Sequence, residues 1–252
     1  MGEGSSRSHE NSVTVGSITE LNAITSRRDF VRLIGLGGAL VLLPAVATSC
    51  GTDSVTSVGA PGSGETVIID FALGDTGILQ YAFALEQLEA DFYSRVVSDF
   101  AGSNFTAAEQ ALLTDIRNHE VIHREVLRAA LAANGAFTLT PTYGALNFKD
   151  RATVLATAKT FEVLGIAAYN GAAQYLSSAE NLTLLGKIVS VEARHASAIG
   201  DLLNPKAADF APNPYDAPMS VVKVATAAQG YIVDKVAFAS TPSVFVPGPG
   251  GA

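Results

Sequence analysis

Two short stretches hold residues that could do chemistry: "RNHEVIHREVL", with Glu120 and His123, and "SVEARHASAIG", with Glu192 and His195. Each pair is three residues apart, so on a helix both side chains project from one face. Leu113, Ile116 and Leu127 share that stripe in the first case, and Ile188, Ile199 and Leu203 in the second, so an acid and an imidazole point where a core is expected. Two further stretches, "LEQLEADFY" and "FEVLGIAAY", place Glu86 seven residues before Tyr93 and Glu162 seven before Tyr169. Carboxylate oxygens and imidazole nitrogens are donors for first-row divalent metals. Four ionised glutamates with two neutral histidines carry −4, a charge that two divalent cations offset.

Aligning the motifs reveals a half-repeat, with 34 residues from Glu86 to Glu120 and 30 from Glu162 to Glu192. Glu89 rivals Glu86 as the ligand of its helix, but it aligns with Gly165 and has no counterpart, which favours Glu86. Without metal, each buried carboxylate costs several kcal/mol unless it is protonated or paired. Arg117, Arg124, Lys159 and Arg194 are the nearby cations, too few to turn inward together. Tyr93 and Tyr169 read as core residues able to hydrogen-bond the ligand carboxylates, and His119 reads as a surface or rim residue.

The elements that must position these residues follow from periodicity and caps. Ile78, Leu79, Ala82, Leu85, Phe92 and Val96 predict a first helix from Thr76 to about Phe100. The capping-box pattern Thr106-x-x-Glu109 opens a second, which ends near Asn134-Gly135. A third follows Asp150 as N-cap and runs to about Leu176, and a fourth spans Ala179 to Leu203, before Pro205. The first and third connections are short, whereas "GAFTLTPTYGALNFKD" could reach on the order of 50 Å, enough to cross a whole bundle. The expected fold is therefore all-α, a four-helix bundle of two antiparallel hairpins joined by a long crossover, the ferritin-like arrangement. In such a core, one Glu from each of two helices and Glu-x-x-His from each of the others form the di-iron or di-manganese carboxylate pattern. Past Pro205 comes a C-terminal extension, 205–252, in which Val221 to Ile232 could form a short fifth helix.

The stretches "LEQLEADFY", "HEVIH", "FEVLGIAAY" and "VEARH", within residues 67–204, resemble the ferritin-like domain of bacterial exported proteins related to plant desiccation-related proteins, in the wider ferritin, bacterioferritin and rubrerythrin superfamily. The resemblance implies metal ligands at Glu86, Glu120, His123, Glu162, Glu192 and His195, with Glu120 and Glu192 bridging two divalent ions, Fe or Mn. It implies no haem, because Met1 and Met219 both lie outside the four helices, and no cysteine-ligated iron module.

The remainder of the chain bounds the function. Its 252 residues carry a net charge of −8 with 16% charged residues, and no basic run follows the N-terminal region, which excludes a nucleic-acid footprint. Residues 1–50 read as an export signal: Arg27 and Arg28 in "SRRDFVR" resemble a twin-arginine motif, and an apolar run from Leu33 to Leu43 closes at Pro44, too short to span a bilayer. The single cysteine, Cys50, ends "ATSC", which resembles a lipobox and overlaps an ordinary cleavage site at Ala45-Val46-Ala47. Residues 51–66 have the composition of a flexible tether. The expectation is an exported protein, periplasmic or at the cell envelope and anchored through lipidated Cys50. It would oxidise Fe(II) or react with O2 or peroxide as a ferroxidase- or peroxidase-like oxidoreductase. The alternative is a non-catalytic, stress-protective or metal-sequestering bundle.

Overall fold

A computed structural model describes Gly64 and residues 66–246. The expected signal, the lipobox and nearly all of the tether lie outside the described residues. Four long helices form where the apolar periodicity places them: α1 at Asp75–Ser98, α2 at Ala107–Gly135, α3 at Arg151–Ala172 and α4 at Ala179–Leu203. Side chains set three of the four starts. Thr106 and Glu109 complete a capping box on α2, Asp150 accepts from the Thr153 N–H on α3, and Ser178 accepts from the Asn181 N–H on α4. α1 starts after Gly74 without a side-chain cap. Helix α3 stops before Leu176 because Ala173–Tyr175 tighten into a 3-10 turn.

Cross-helix hydrogen bonds fix the directions. Gln80, near the start of α1, donates to the Gly135 carbonyl at the end of α2, and Arg151, at the start of α3, donates to the Leu202 carbonyl at the end of α4. Both hairpins are therefore antiparallel. The crossover runs the length of α1: the Leu139 N–H bonds Gln87, the Tyr143 hydroxyl donates to the Leu88 carbonyl, and the Asn104 N–H reaches the Lys149 carbonyl. That is the long connection of a ferritin-like bundle rather than an up-and-down one.

The extension is built into the fold. A short helix α5, Val221–Ala228, ends in a 3-10 turn at Gln229–Tyr231, shorter as an α-helix than the sequence suggests. Strand β1, Thr66–Asp70, pairs in parallel with strand β2, Lys235–Ser240, an element the periodicity does not announce. Asp234, buried, accepts from the Thr140 N–H and pins the crossover. At Gly171 a Cβ would sit 1.9 Å from the Met219 carbonyl oxygen, so only glycine lets the extension approach α3 there. Among the described residues, no helix is long and apolar enough to cross a membrane.

Candidate metal centre

The four helices bring six side chains to one point in the core. Glu86 comes from α1, Glu120 and His123 from α2, Glu162 from α3, and Glu192 and His195 from α4. All four glutamates are 0% exposed, and the histidines are 8% and 5% exposed. Helical facing explains the convergence, because each Glu-x-x-His pair sits one turn apart on the stripe that also carries Ile116 or Ile188.

The geometry has an approximate two-fold symmetry. His123 Nδ1 lies 2.8 Å from Glu192 Oε1, 3.4 Å from Glu120 Oε2 and 3.6 Å from Glu86 Oε2. His195 Nδ1 lies 2.8 Å from Glu120 Oε1, 3.4 Å from Glu162 Oε2 and 3.7 Å from Glu192 Oε2. Glu120 and Glu192 therefore each turn one oxygen toward each imidazole. Glu86 and Glu162 each serve one side only, and their second oxygens are held across the core: Tyr169 on α3 donates to Glu86, and Tyr93 on α1 donates to Glu162.

Within these six side chains, eight atoms are buried without a hydrogen bond: Oε2 of Glu86 and Glu162, both oxygens of Glu120 and Glu192, and Nδ1 of His123 and His195. Native cores pair such atoms, so an orphaned set pointing at one space marks a missing partner. They fall into two groups, Glu86, Glu120, His123 and Glu192, and Glu120, Glu162, Glu192 and His195, each with donor atoms within 4.8 Å of one another. Such groups could hold a metal ion, and the two together are compatible with a di-metal site.

The nearby cations do not turn inward. Among the described residues no ion pair joins Arg117, Arg124, Lys159 or Arg194 to the six; Arg124 pairs with Glu125, and Lys159 donates to the Ala196 carbonyl. The cluster balances itself by protonation instead. Burial opposes a charged imidazole, but the Glu120, Glu162 and Glu192 carboxylates beside its Nδ1 push His195 up to about 12, and the Glu86 charge with the adjacent Glu120 and Glu192 carboxylates raises His123 well above its ordinary value. Burial would raise Glu120 and Glu192 too, yet the two imidazoles pull both below the usual carboxyl value. Burial, with the Glu192 charge, pushes Glu86 up to about 8, and burial holds Glu162 well above its ordinary value. The two imidazoles are thus drawn toward their charged forms, Glu120 and Glu192 toward carboxylates, and Glu86 and Glu162 toward carboxylic acids, without any arginine or lysine.

Two residues discounted in the sequence also belong here. Glu89 is 2% exposed, with one oxygen unpaired, and its Oε1 lies 3.1 Å from where a Cβ on Gly165 would stand. The glycine opposite makes room for this fifth carboxyl, and burial with the charges of Glu192 and Glu120 keeps it protonated. Its spacing carried the signal, since Glu89 lies three residues after Glu86 and four before Tyr93 on one stripe. His119 is half-buried, but it is not merely a rim residue. Its ring lies edge to edge with that of His195, 5.2 Å between centroids and 9° between planes, and its Nδ1 is 2.9 Å from His195 Nε2. An i, i+4 pair of histidines, His119 and His123, was the available sign.

Comparison with known proteins agrees with this architecture. No curated protein matches the chain significantly. The family model of the ferritin-like domain matches residues 74–205, more than half of the chain, and the match takes in all four helices and the six converging side chains. With this bundle, its long crossover and the carboxylate and imidazole cluster at its centre, the chain belongs to the ferritin-like domain family.

Proposed function

We propose that the chain binds two divalent metal ions, iron or manganese, and uses them to oxidise Fe(II) or to react with O2 or peroxide. The observation that carries this reading is the set of eight buried, unpaired donor atoms in two four-residue groups that share Glu120 and Glu192. In this reading Glu86, Glu120, His123 and Glu192 hold one ion, and Glu120, Glu162, Glu192 and His195 hold the other, with Glu120 and Glu192 bridging. Two adjacent redox metals would supply one electron each to a bound oxidant. Tyr169 and Tyr93 hold Glu86 and Glu162 by one oxygen, so that the other stays aimed at the site. Glu89 lies beside the cluster, and burial with the Glu192 and Glu120 charges raises its carboxyl well above the ordinary value. Burial of all five carboxyls excludes bulk water from the space they enclose.

The motifs around the ligands support placing the chain with the exported, desiccation-related members of its family, and "SRRDFVR" with Cys50 supports twin-arginine export followed by lipid anchoring. The decisive experiment is anaerobic reconstitution with Fe(II) or Mn(II), metal analysis, and then addition of O2 or peroxide with excess Fe(II). About two ions per chain and many oxidised Fe(II) per site are expected. No bound metal overturns the site, and binding without turnover leaves the sequestering function in its place.

A further inference from the structure

The half-repeat breaks at a position that touches a ligand. Glu120 aligns with Glu192, so the residue before each, His119 and Val191, are equivalent. His119 of α2 faces His195 of α4, 2.9 Å from ring nitrogen to ring nitrogen. At the equivalent place the chain has a valine, whose side chain has no hydrogen-bonding atom to offer His123.

The two ring nitrogens of His195 have different partners. Nδ1 faces Glu120, Glu162 and Glu192, and Nε2 faces His119. If a metal takes the Nδ1 lone pair, the ring's remaining proton stands on Nε2 and must be donated; His119 Nδ1 is the acceptor. The coplanar, half-buried His119 ring is thereby committed to one tautomer, with its own proton on Nε2. We infer that His119 is a positioning residue that fixes the tautomer and ring plane of His195, so that the metal position at His195 binds more tightly than the one at His123. The inference rests on the di-metal reading above, and it adds an order of filling that a symmetric ligand set would not have. A partner that orients a ligating histidine and raises its basicity is typically worth 10- to 100-fold in metal affinity.

The test uses full-length protein and Mn(II) under anaerobic titration calorimetry, with His123→Ala and His195→Ala isolating one position each. The variant His119→Phe keeps an aromatic ring beside His195 and removes the acceptor; His119→Asn returns an acceptor atom near the place of Nδ1. The wild type should fill in two unequal steps. In the His123→Ala background, His119→Phe should weaken the remaining position about 10- to 100-fold and His119→Asn should restore most of it, whereas in the His195→Ala background neither change should matter. Circular dichroism confirms that each variant is folded. Failure of the wild type to bind Mn(II) or Fe(II) overturns the metal reading itself. Two-ion binding in which His119→Phe affects both backgrounds equally, or neither, overturns the role of His119 alone.

Discussion

Loading the cluster with metal should expel protons in a countable number. Metal-free, Glu86 and Glu162 hold a proton each at neutral pH, because burial raises both, and His123 and His195 each carry one more than a metal ligand can keep. Glu120 and Glu192 are already ionised, and Glu89 is not a member of either donor group. Two carboxyl protons and two imidazolium protons leave, so about four protons should be released per two divalent ions, conserving the neutrality of a dry core. Affinity then rises with pH: below about 8, where Glu86 titrates, one pH unit should multiply the two-ion constant by about 10^4, or about 5.4 kcal/mol. Mn(II) titration calorimetry in buffers of different ionisation enthalpy reads the proton count directly. A count of about two would mean that the outer carboxyls are already ionised, and a count near zero would refute the self-neutralised cluster. The metal-free protein should respond with the opposite sign. Glu86 titrates above its ordinary value of 4.5, so ionising it costs stability increasingly as pH climbs from there to about 8. His195 contributes fully below its ordinary value of 6.5 and loses that contribution progressively as pH rises from there to about 12. Melting of the metal-free chain should therefore drop between pH 5 and 8, and a flat profile would count against the protonated Glu86.

Further outcomes can be measured on the same protein. Glu86→Gln should lower bound metal below two ions per chain, while Glu89→Gln should leave it unchanged, because a neutral amide replaces a carboxyl that is already neutral; metal analysis after desalting compares them. Tyr93→Phe and Tyr169→Phe each free one carboxylate oxygen and should weaken Mn(II) binding about 10-fold, with a fold intact by circular dichroism. Replacing Arg27 and Arg28 by Lys should leave a precursor in the cytoplasm, and Cys50→Ser should move mature protein from the membrane to the soluble fraction, both followed by fractionation and immunoblotting.

The four long helices and six convergent side chains were legible because their signals are local. Thr106 with Glu109, and Asp150, mark helix starts within a few residues, and a stripe at three-and-four spacing needs no knowledge of its partner. The strand pair was not legible, since "TVIID" at 66–70 and "KVAFAS" at 235–240 are short, lie at opposite ends of the described chain, and acquire meaning only when tertiary packing aligns them. Glu89 was discounted because a repeat argument looks for equivalence, whereas the core accepts a lone carboxyl that keeps its proton above a glycine. His119 was discounted for a related reason: a contact between α2 and α4 depends on the rotation of one helix against another, which spacing within either one does not encode.

The contact between Glu89 and Gly165 also limits how the two halves can be exchanged. On their ligands alone, the hairpins α1–α2 and α3–α4 look interchangeable, as if one of them, duplicated or paired with a second copy of itself, could build the same centre. Two copies of the first hairpin would set Glu89 against Glu89, where even the Cβ of a substituent at residue 165 comes within 3.1 Å of a carboxyl oxygen. Two copies of the second would leave glycine facing glycine and a void where that carboxyl stood. Each hairpin is complementary to the other and not to itself, so the pairing that assembles the centre carries its own selectivity against homotypic exchange between chains.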